Sequence, residues 1–167
     1  MAERPPQQTP RILALLHQAG LPFVVVGGVA ANAHGAVRLT QDLDVVMPMT
    51  AEVLDRLLEA LRPYRPHHAL RLDLGPIKQD GKTLSAFRML LIETDLGRLD
   101  VIREVPPVGR YEDLATQTVE LAGVEVRIVT LEQLITIKEA VGRPKDKIAV
   151  QELRAIAETL DSTHDHE

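Results

Sequence analysis

The sequence predicts an α+β fold, a mixed and largely antiparallel sheet flanked by helices, on three observations. Helical apolar stripes and short β-branched runs follow one another along the chain. In its second half, turn signals join apolar runs closely enough for a meander and a hairpin. Hydrophobic residues make up 45% of the chain and aromatics only 2%, so Leu, Val, Ile and Ala must fill the core. At 167 residues the length suits one domain, residues 1–167, with 1–8 and 161–167 as flexible ends. No repeat, low-complexity block or linker divides it.

Each element has its own signal. Thr9-Pro10 reads as an N-cap followed by proline at the first helical position; Ile12, Leu15, Leu16 and Ala19 share a face, and Gly20 closes the helix. "PFVVVGG" is a buried strand ending at glycines, and "VAANAHG" a short helix of small residues. "DLDVVMP" is a second strand stopped by Pro48. Thr50 caps a helix with Leu54, Leu57, Leu58 and Leu61 as its stripe, broken by "RPYRPHH". Asp80-Gly81 predicts a tight turn between "PIKQ" and "LSAFRMLLIET", and "DLG" another before "RLDVIREV", which together make an antiparallel meander. After the loop "VPPVG" and a short helix at "RYEDLA", "QTVELAGVEVRIV" turns near Ala122-Gly123. Two helices finish the fold: 131–141, and one begun by Pro144 with Ala149, Leu153, Ile156 and Leu160 inward.

Composition excludes several chemistries. A formal charge of −5 argues against broad electrostatic binding of nucleic acid, and the scarcity of aromatics argues against base stacking. Without cysteine there are no disulfides, thiolate metal sites or thiol nucleophiles. No apolar run is long enough for a membrane span and no signal-peptide core is present, so a cytoplasmic location is expected.

Asp42 and Asp44 carry the main chemical signal. Two apart on a strand, they project from one face with α-carbons about 6.6 Å apart, while Leu43, Val45 and Met47 face the other way. Adjacent carboxylates repel, a repulsion that solvent or a cation relieves. Magnesium suits them because it takes oxygen ligands and usually one or two carboxylates, completing its shell with water and phosphate. Asp100 interrupts the apolar run "GRLDVIRE"; if its strand lies beside that of Asp42, a spacing of about 4.8 Å gathers three acids in one patch. Such a patch holds two divalent ions about 4 Å apart, as in-line nucleotidyl displacement requires. Each acid alone also reads as an exposed strand position.

Cations and glycines surround this candidate site. Gly27-Gly28 ends a strand and opens a short helix, a place where backbone N–H groups receive phosphate and also a place for a plain turn. Lys138 occupies a stripe position of its helix and, facing inward, needs an anion; a bound phosphate and a snorkelling stem are the two readings. Arg38 either steadies the glycine turn or faces water. "GPIKQDGKT" is not a phosphate loop, since five residues rather than four separate Gly75 from Gly81. His67, His68, His164 and His166 lack metal-ligand spacing, and Ser85 and Ser162 have no base in reach.

The segment "GGVAANAHGAVRLTQDLDVVM" resembles the signature of the polymerase-beta-like nucleotidyltransferase superfamily, with its glycine pair, short helix and Arg-x-Thr-x-Asp-x-Asp strand. "GRLDVI", "YEDL" and "LITIKEAVGRPKDKIAVQEL" look like small bacterial members near the AbiEii toxin group, and the likeness spans roughly 21–157. The resemblance implies the nucleotidyltransferase fold, two magnesium ions, and transfer of a nucleoside monophosphate from an NTP such as ATP to an acceptor hydroxyl. It makes Asp42, Asp44 and Asp100 metal-binding and catalytic acids, with Asp100 also drawing the acceptor proton. Gly27 and Gly28 become the phosphate turn, and Lys138 a neighbour of the triphosphate. Gly28 stands where many active members have serine, which removes a phosphate-binding hydroxyl. The acceptor is left open among transfer RNA, a protein hydroxyl and an antibiotic. An alternative implied by the same likeness is a nucleotide- or partner-binding module of a toxin–antitoxin or defence pair, with an antitoxin-like partner and little turnover.

Overall fold

The computed structural model describes residues 3–165; the outermost parts of the expected flexible ends, 1–2 and 166–167 with His166, lie outside the described residues. In chain order the elements are α1 (Thr9–Gln18), β1 (Val24–Val26), α2 (Gly27–Ala33), β2 (Asp42–Val46), α3 (Ala51–Leu61), β3 (His67–His68), α4 (Gly81–Leu84), β4 (Met89–Thr94), β5 (Gly97–Ile102), β6 (Glu104–Val105), β7 (Gly109–Arg110), β8 (Thr116–Leu121), β9 (Val124–Val129), α5 (Leu131–Val141) and α6 (Pro144–His164).

Seven strands form one sheet in the order β3-β4-β5-β2-β1-β9-β8, and β6 and β7 form a small separate ribbon. Neighbours run antiparallel at β3–β4, β4–β5, β1–β2 and β8–β9, and parallel at β2–β5 and β1–β9. The sheet is therefore mixed and mostly antiparallel, as the sequence predicts. Its central strands bury Val24, Val25, Leu43, Val45, Leu99 and Val101, and α1 and α3 add Ile12, Leu16, Leu54, Leu57 and Leu61 to the same aliphatic core. The hairpin at Ala122-Gly123 forms with both residues at positive φ, 51° and 79°. That geometry matches the twist of the flanking strands.

Several local expectations change. Gln8, not Thr9, is the N-cap of α1, and Leu13 is buried beside the predicted stripe. Asp80-Gly81 is not a hairpin turn. Asp80 caps α4 by accepting from the Thr83 N–H at 2.9 Å, and Gly81 packs so closely on α3 that a Cβ would run into the Ala51 carbonyl oxygen. An Asp-Gly pair serves a helix start as well as a turn, and here the close approach of α3 decides. Leu160 is exposed rather than inward, and α6 runs on to His164 through most of the tail expected to fray. At the other end, residues 4–8 are tied down: the Gln7 side chain donates to the Arg98 carbonyl at 3.0 Å and accepts from its N–H at 2.8 Å, and Gln8 N–H donates to the Leu96 carbonyl. Gly97, at φ 112°, leaves the space that the Gln7 amide occupies. Among the described residues no helix is long and apolar enough to cross a membrane.

Candidate active site

Parallel pairing of β2 with β5 builds the site. Asp44 lies directly opposite Asp100, and Asp42 opposite Arg98. Cross-strand partners share a face, so the three acids expected from sequence stand on one side of the sheet, at its centre. Asp100 is 7% exposed. The Asp44 carboxyl is pushed up to about 6 by burial first, then by the charges of Asp100 and Asp42 and by its hydrogen bond with Asp100, while Arg98 partly opposes the shift. Like charges have been gathered where solvent compensates poorly.

Two of the acids are held by arginines. Arg98 donates to both carboxylate oxygens of Asp100, through Nε at 2.8 Å and Nη2 at 3.4 Å, and this contact raises its own pKa. Arg4 bridges Asp42, at 2.9 Å through Nη2, and Glu93, at 2.8 Å through Nε. Glu93 is a fourth acid that sequence reasoning missed; it sits opposite Arg98 on β4, and the alternation of "MLLIET" places it on the face of Leu91 and Met89. Its other carboxylate oxygen is buried without a hydrogen-bond partner. Among the described residues no group of three or more His, Asp or Glu is poised as it stands to hold a metal. Guanidinium groups occupy oxygens of Asp42 and Asp100 instead.

The glycine turn abuts the acids. Val26, the last residue of β1, is opposite Asp44, and Gly27 turns there at φ 65° to open α2. A Cβ on Gly27 would collide with the Asp44 carboxylate. One on Gly28 would come 2.5 Å from Cγ2 of Thr40, so the methyl of Thr40 fills the space that a serine side chain would need.

The flanking cations are placed differently from one another. Lys138 lies near enough to feel Asp44, but its anion is internal: Asp146, 3.8 Å away and 2% exposed. Burial is the main cause that lowers the Lys138 pKa, opposed by Asp146. Asp146 also accepts from the Arg143 N–H at 3.2 Å and Nε at 2.7 Å, which caps α6 and holds its own carboxyl below the usual range. Sequence reasoning found Lys138 but not Asp146, whose position three residues past the N-cap was the available signal. Arg38 turns away from the glycine turn and reaches Glu152 of α6 at 3.3 Å. Its backbone is clipped to Asn32 of α2.

No protein-family model matches the chain, and no curated protein is similar to it in sequence. Solved structures are similar in shape. The lincosamide antibiotic adenylyltransferase LnuA, with lincomycin bound, superposes with a TM-score of 0.60 at 12% identity, over 92% of this chain and 99% of that one. The chain has the nucleotidyltransferase fold. An antigenic nucleotidyltransferase-like protein from Paracoccidioides brasiliensis matches with a TM-score of 0.57 at 16% identity, over 88% of this chain and 72% of that one. ANT(2'')-Ia in complex with adenylyl-2''-tobramycin gives 0.51 at 16% identity, over 92% and 94%. At such identities the nucleotidyltransferase likeness is one of architecture, and the site must be argued from its own geometry.

Proposed function

We propose that this protein is a nucleotidyltransferase that moves a nucleoside monophosphate from an NTP to an acceptor hydroxyl, with divalent metal as cofactor. The register of Asp44 against Asp100 carries the reading, because it converges carboxylates beside a glycine turn on the fold that known nucleotidyltransferases use. Magnesium fits the residues present: every candidate ligand is a carboxylate oxygen, and the crowding that raises Asp44 to about 6 is what a hard cation relieves. Asp42, Asp44 and Asp100 would hold it, once Arg4 leaves Asp42 and Arg98 yields an oxygen of Asp100. Bound there, the metal would polarise the transferred phosphoryl group and neutralise developing charge.

The chain's own residues supply the rest. Gly27 and Gly28 offer backbone N–H groups, unobstructed by side chains, to the triphosphate. Lys138, paired with Asp146 and near enough to Asp44 for their charges to interact, adds positive charge from the α5 side. Asp100 accepts the acceptor's proton, and Arg98 fixes the orientation of its carboxylate. The direct test is incubation with labelled NTP, magnesium and a panel of acceptors, with an Asp42→Ala/Asp44→Ala protein as control. Equal labelling by the control rejects the assigned roles.

A second reading, a nucleotide- or partner-binding module with little turnover, is favoured by one observation: Asp42 and Asp100 are both engaged by guanidinium groups. It predicts calorimetric NTP binding with no labelled product for any acceptor.

A further inference from the structure

We infer that residues 4–8 form a stiff strap whose Arg4 keeps a bare divalent ion off Asp42 and passes to the triphosphate when the ion arrives as a nucleotide complex; the inference rests on the nucleotidyl-transfer reading above. Glu93 on β4, Arg98 on β5 and Asp42 on β2 lie directly opposite one another in one cross-strand row. Arg4 closes over that row, with Nη2 2.9 Å from Asp42 Oδ1 and Nε 2.8 Å from Glu93 Oε1. In the octahedral shell of magnesium or manganese, bonds of about 2.1 Å set neighbouring ligand atoms about 3 Å apart. The Arg4 nitrogen therefore stands where a further ligand of an ion on Asp42 would stand.

The sequence "RPPQ" makes the strap stiff. Each proline locks its φ at about −65° and restricts the residue before it, so Arg4, Pro5 and Pro6 lose little freedom when the strap is ordered. The base of the strap is fixed. The Gln7 amide exchanges two hydrogen bonds with the Arg98 backbone, and Gln8, the N-cap of α1, donates to the Leu96 carbonyl at 2.8 Å. Arg4 is thus held out over the acids on a short rigid arm.

Its two contacts are unequal. The Glu93 side chain is 19% exposed and one of its oxygens is buried with no hydrogen-bond partner, so losing the guanidinium would leave a poorly solvated charge without its cation. Asp42 is 35% exposed and would gain a metal ion in exchange. Asp42 is therefore the contact that Arg4 gives up, and Glu93 the one on which it pivots.

Net charge decides when the exchange occurs. A bare divalent ion approaching Asp42 meets a guanidinium of its own sign, whereas the same ion on a nucleoside triphosphate arrives in a net negative complex. Phosphate oxygens that ligate the ion lie about 3 Å from the Asp42 oxygen, within reach of Nη2, and the planar guanidinium suits phosphate as well as carboxylate. Arg4 in this way makes metal and nucleotide enter together.

The test uses the full chain and two ligands, each titrated by calorimetry into wild type, Arg4→Ala and Pro5→Gly/Pro6→Gly. One ligand is manganese alone; the other is manganese with α,β-methylene-ATP in excess, so that no bare ion remains. Arg4→Ala should bind manganese alone about threefold or more tighter and the nucleotide complex about threefold or more weaker. The glycine pair keeps the guanidinium but loosens the arm, and should bind manganese alone about twofold or more tighter. Thermal midpoints read on the same samples confirm folding. Tighter binding of both ligands by Arg4→Ala means plain competition without the exchange and overturns the inference, as does a manganese affinity that ignores the loss of Arg4. A manganese affinity unchanged by the glycine pair overturns the role of the stiff arm. Failure of the nucleotide complex to bind wild type at all overturns the nucleotidyl-transfer reading itself.

Discussion

Asp44 is held in a state that works against folding at neutral pH. Its carboxyl titrates near 6 in the folded chain against an ordinary 3.8, so between those values the folded state binds more protons than the unfolded one, and stability falls as pH rises. A shift of this size corresponds to about 3 kcal/mol, present below pH 3.8 and lost above about 6. Asp44→Asn should therefore be more stable to urea than wild type at pH 7–8 by up to that amount, with the difference vanishing toward pH 4. The same substitution removes a proposed metal ligand, so on that reading activity should fall as stability rises. Gly28 yields a second residue-scale prediction. Gly28→Ser must displace the Thr40 methyl, which lies 2.5 Å from the new Cβ, at a cost of about 1–3 kcal/mol. Adding Thr40→Ala should recover most of the lost stability, read as the urea midpoint. That exchange explains physically why glycine stands here: the residue two before Asp42 occupies the room, a fact of packing that no spacing rule reveals.

At the scale of elements, the proposed metal site requires the N-terminal segment to move. Arg4 closes on Asp42 and Glu93 through contacts that are partly exposed, and such ion pairs contribute about 0.2–1 kcal/mol each. Arg4→Ala should free Asp42 and tighten manganese binding several-fold by calorimetry in the absence of nucleotide; an unchanged affinity would show that Arg4 does not compete. The start of α6 behaves oppositely. Asp146→Ala removes the helix cap and leaves Lys138 and Arg143 without their anion, a loss of about 2 kcal/mol or more that should appear as a lower urea midpoint. Helices α1, α3, α5 and α6 were legible because their stripes are long, and α3 has a conventional threonine cap. The tight turn expected at Asp80-Gly81 was misread because Asp55 of α3, whose carboxylate accepts from the Gly81 N–H at 2.6 Å, is remote in sequence. Likewise, the hydrogen bonds of Gln7 with Arg98 at the start of β5 join partners remote in sequence, which no local signal reveals.

Across the whole molecule, strand order does what sequence alone left conditional. Asp100 was recognisable as an acid in an apolar run, yet its placement beside Asp44 depends on a parallel crossover through α3, β3, α4 and β4. Such non-local pairing has no local signature, whereas the alternation that aims each side chain does. Glu93 was missed for the same reason, since only the β4–β5 register brings it to Arg98. Binding at the assembled site should stabilise the entire fold: a magnesium nucleotide supplied at 100 times its Kd would add about 2.7 kcal/mol. A rise in Tm of a few degrees is expected for wild type and none for Asp42→Ala/Asp44→Ala. Equal rises would place the nucleotide elsewhere.

The clasp that Gln7 makes with β5 also bears on how the protein is prepared. A polyhistidine purification handle fused just ahead of Arg4 would bring imidazoles close to Asp42, where zinc or nickel carried through purification would collect and counterfeit a metal centre. Cleaving the handle before any metal titration removes that artefact.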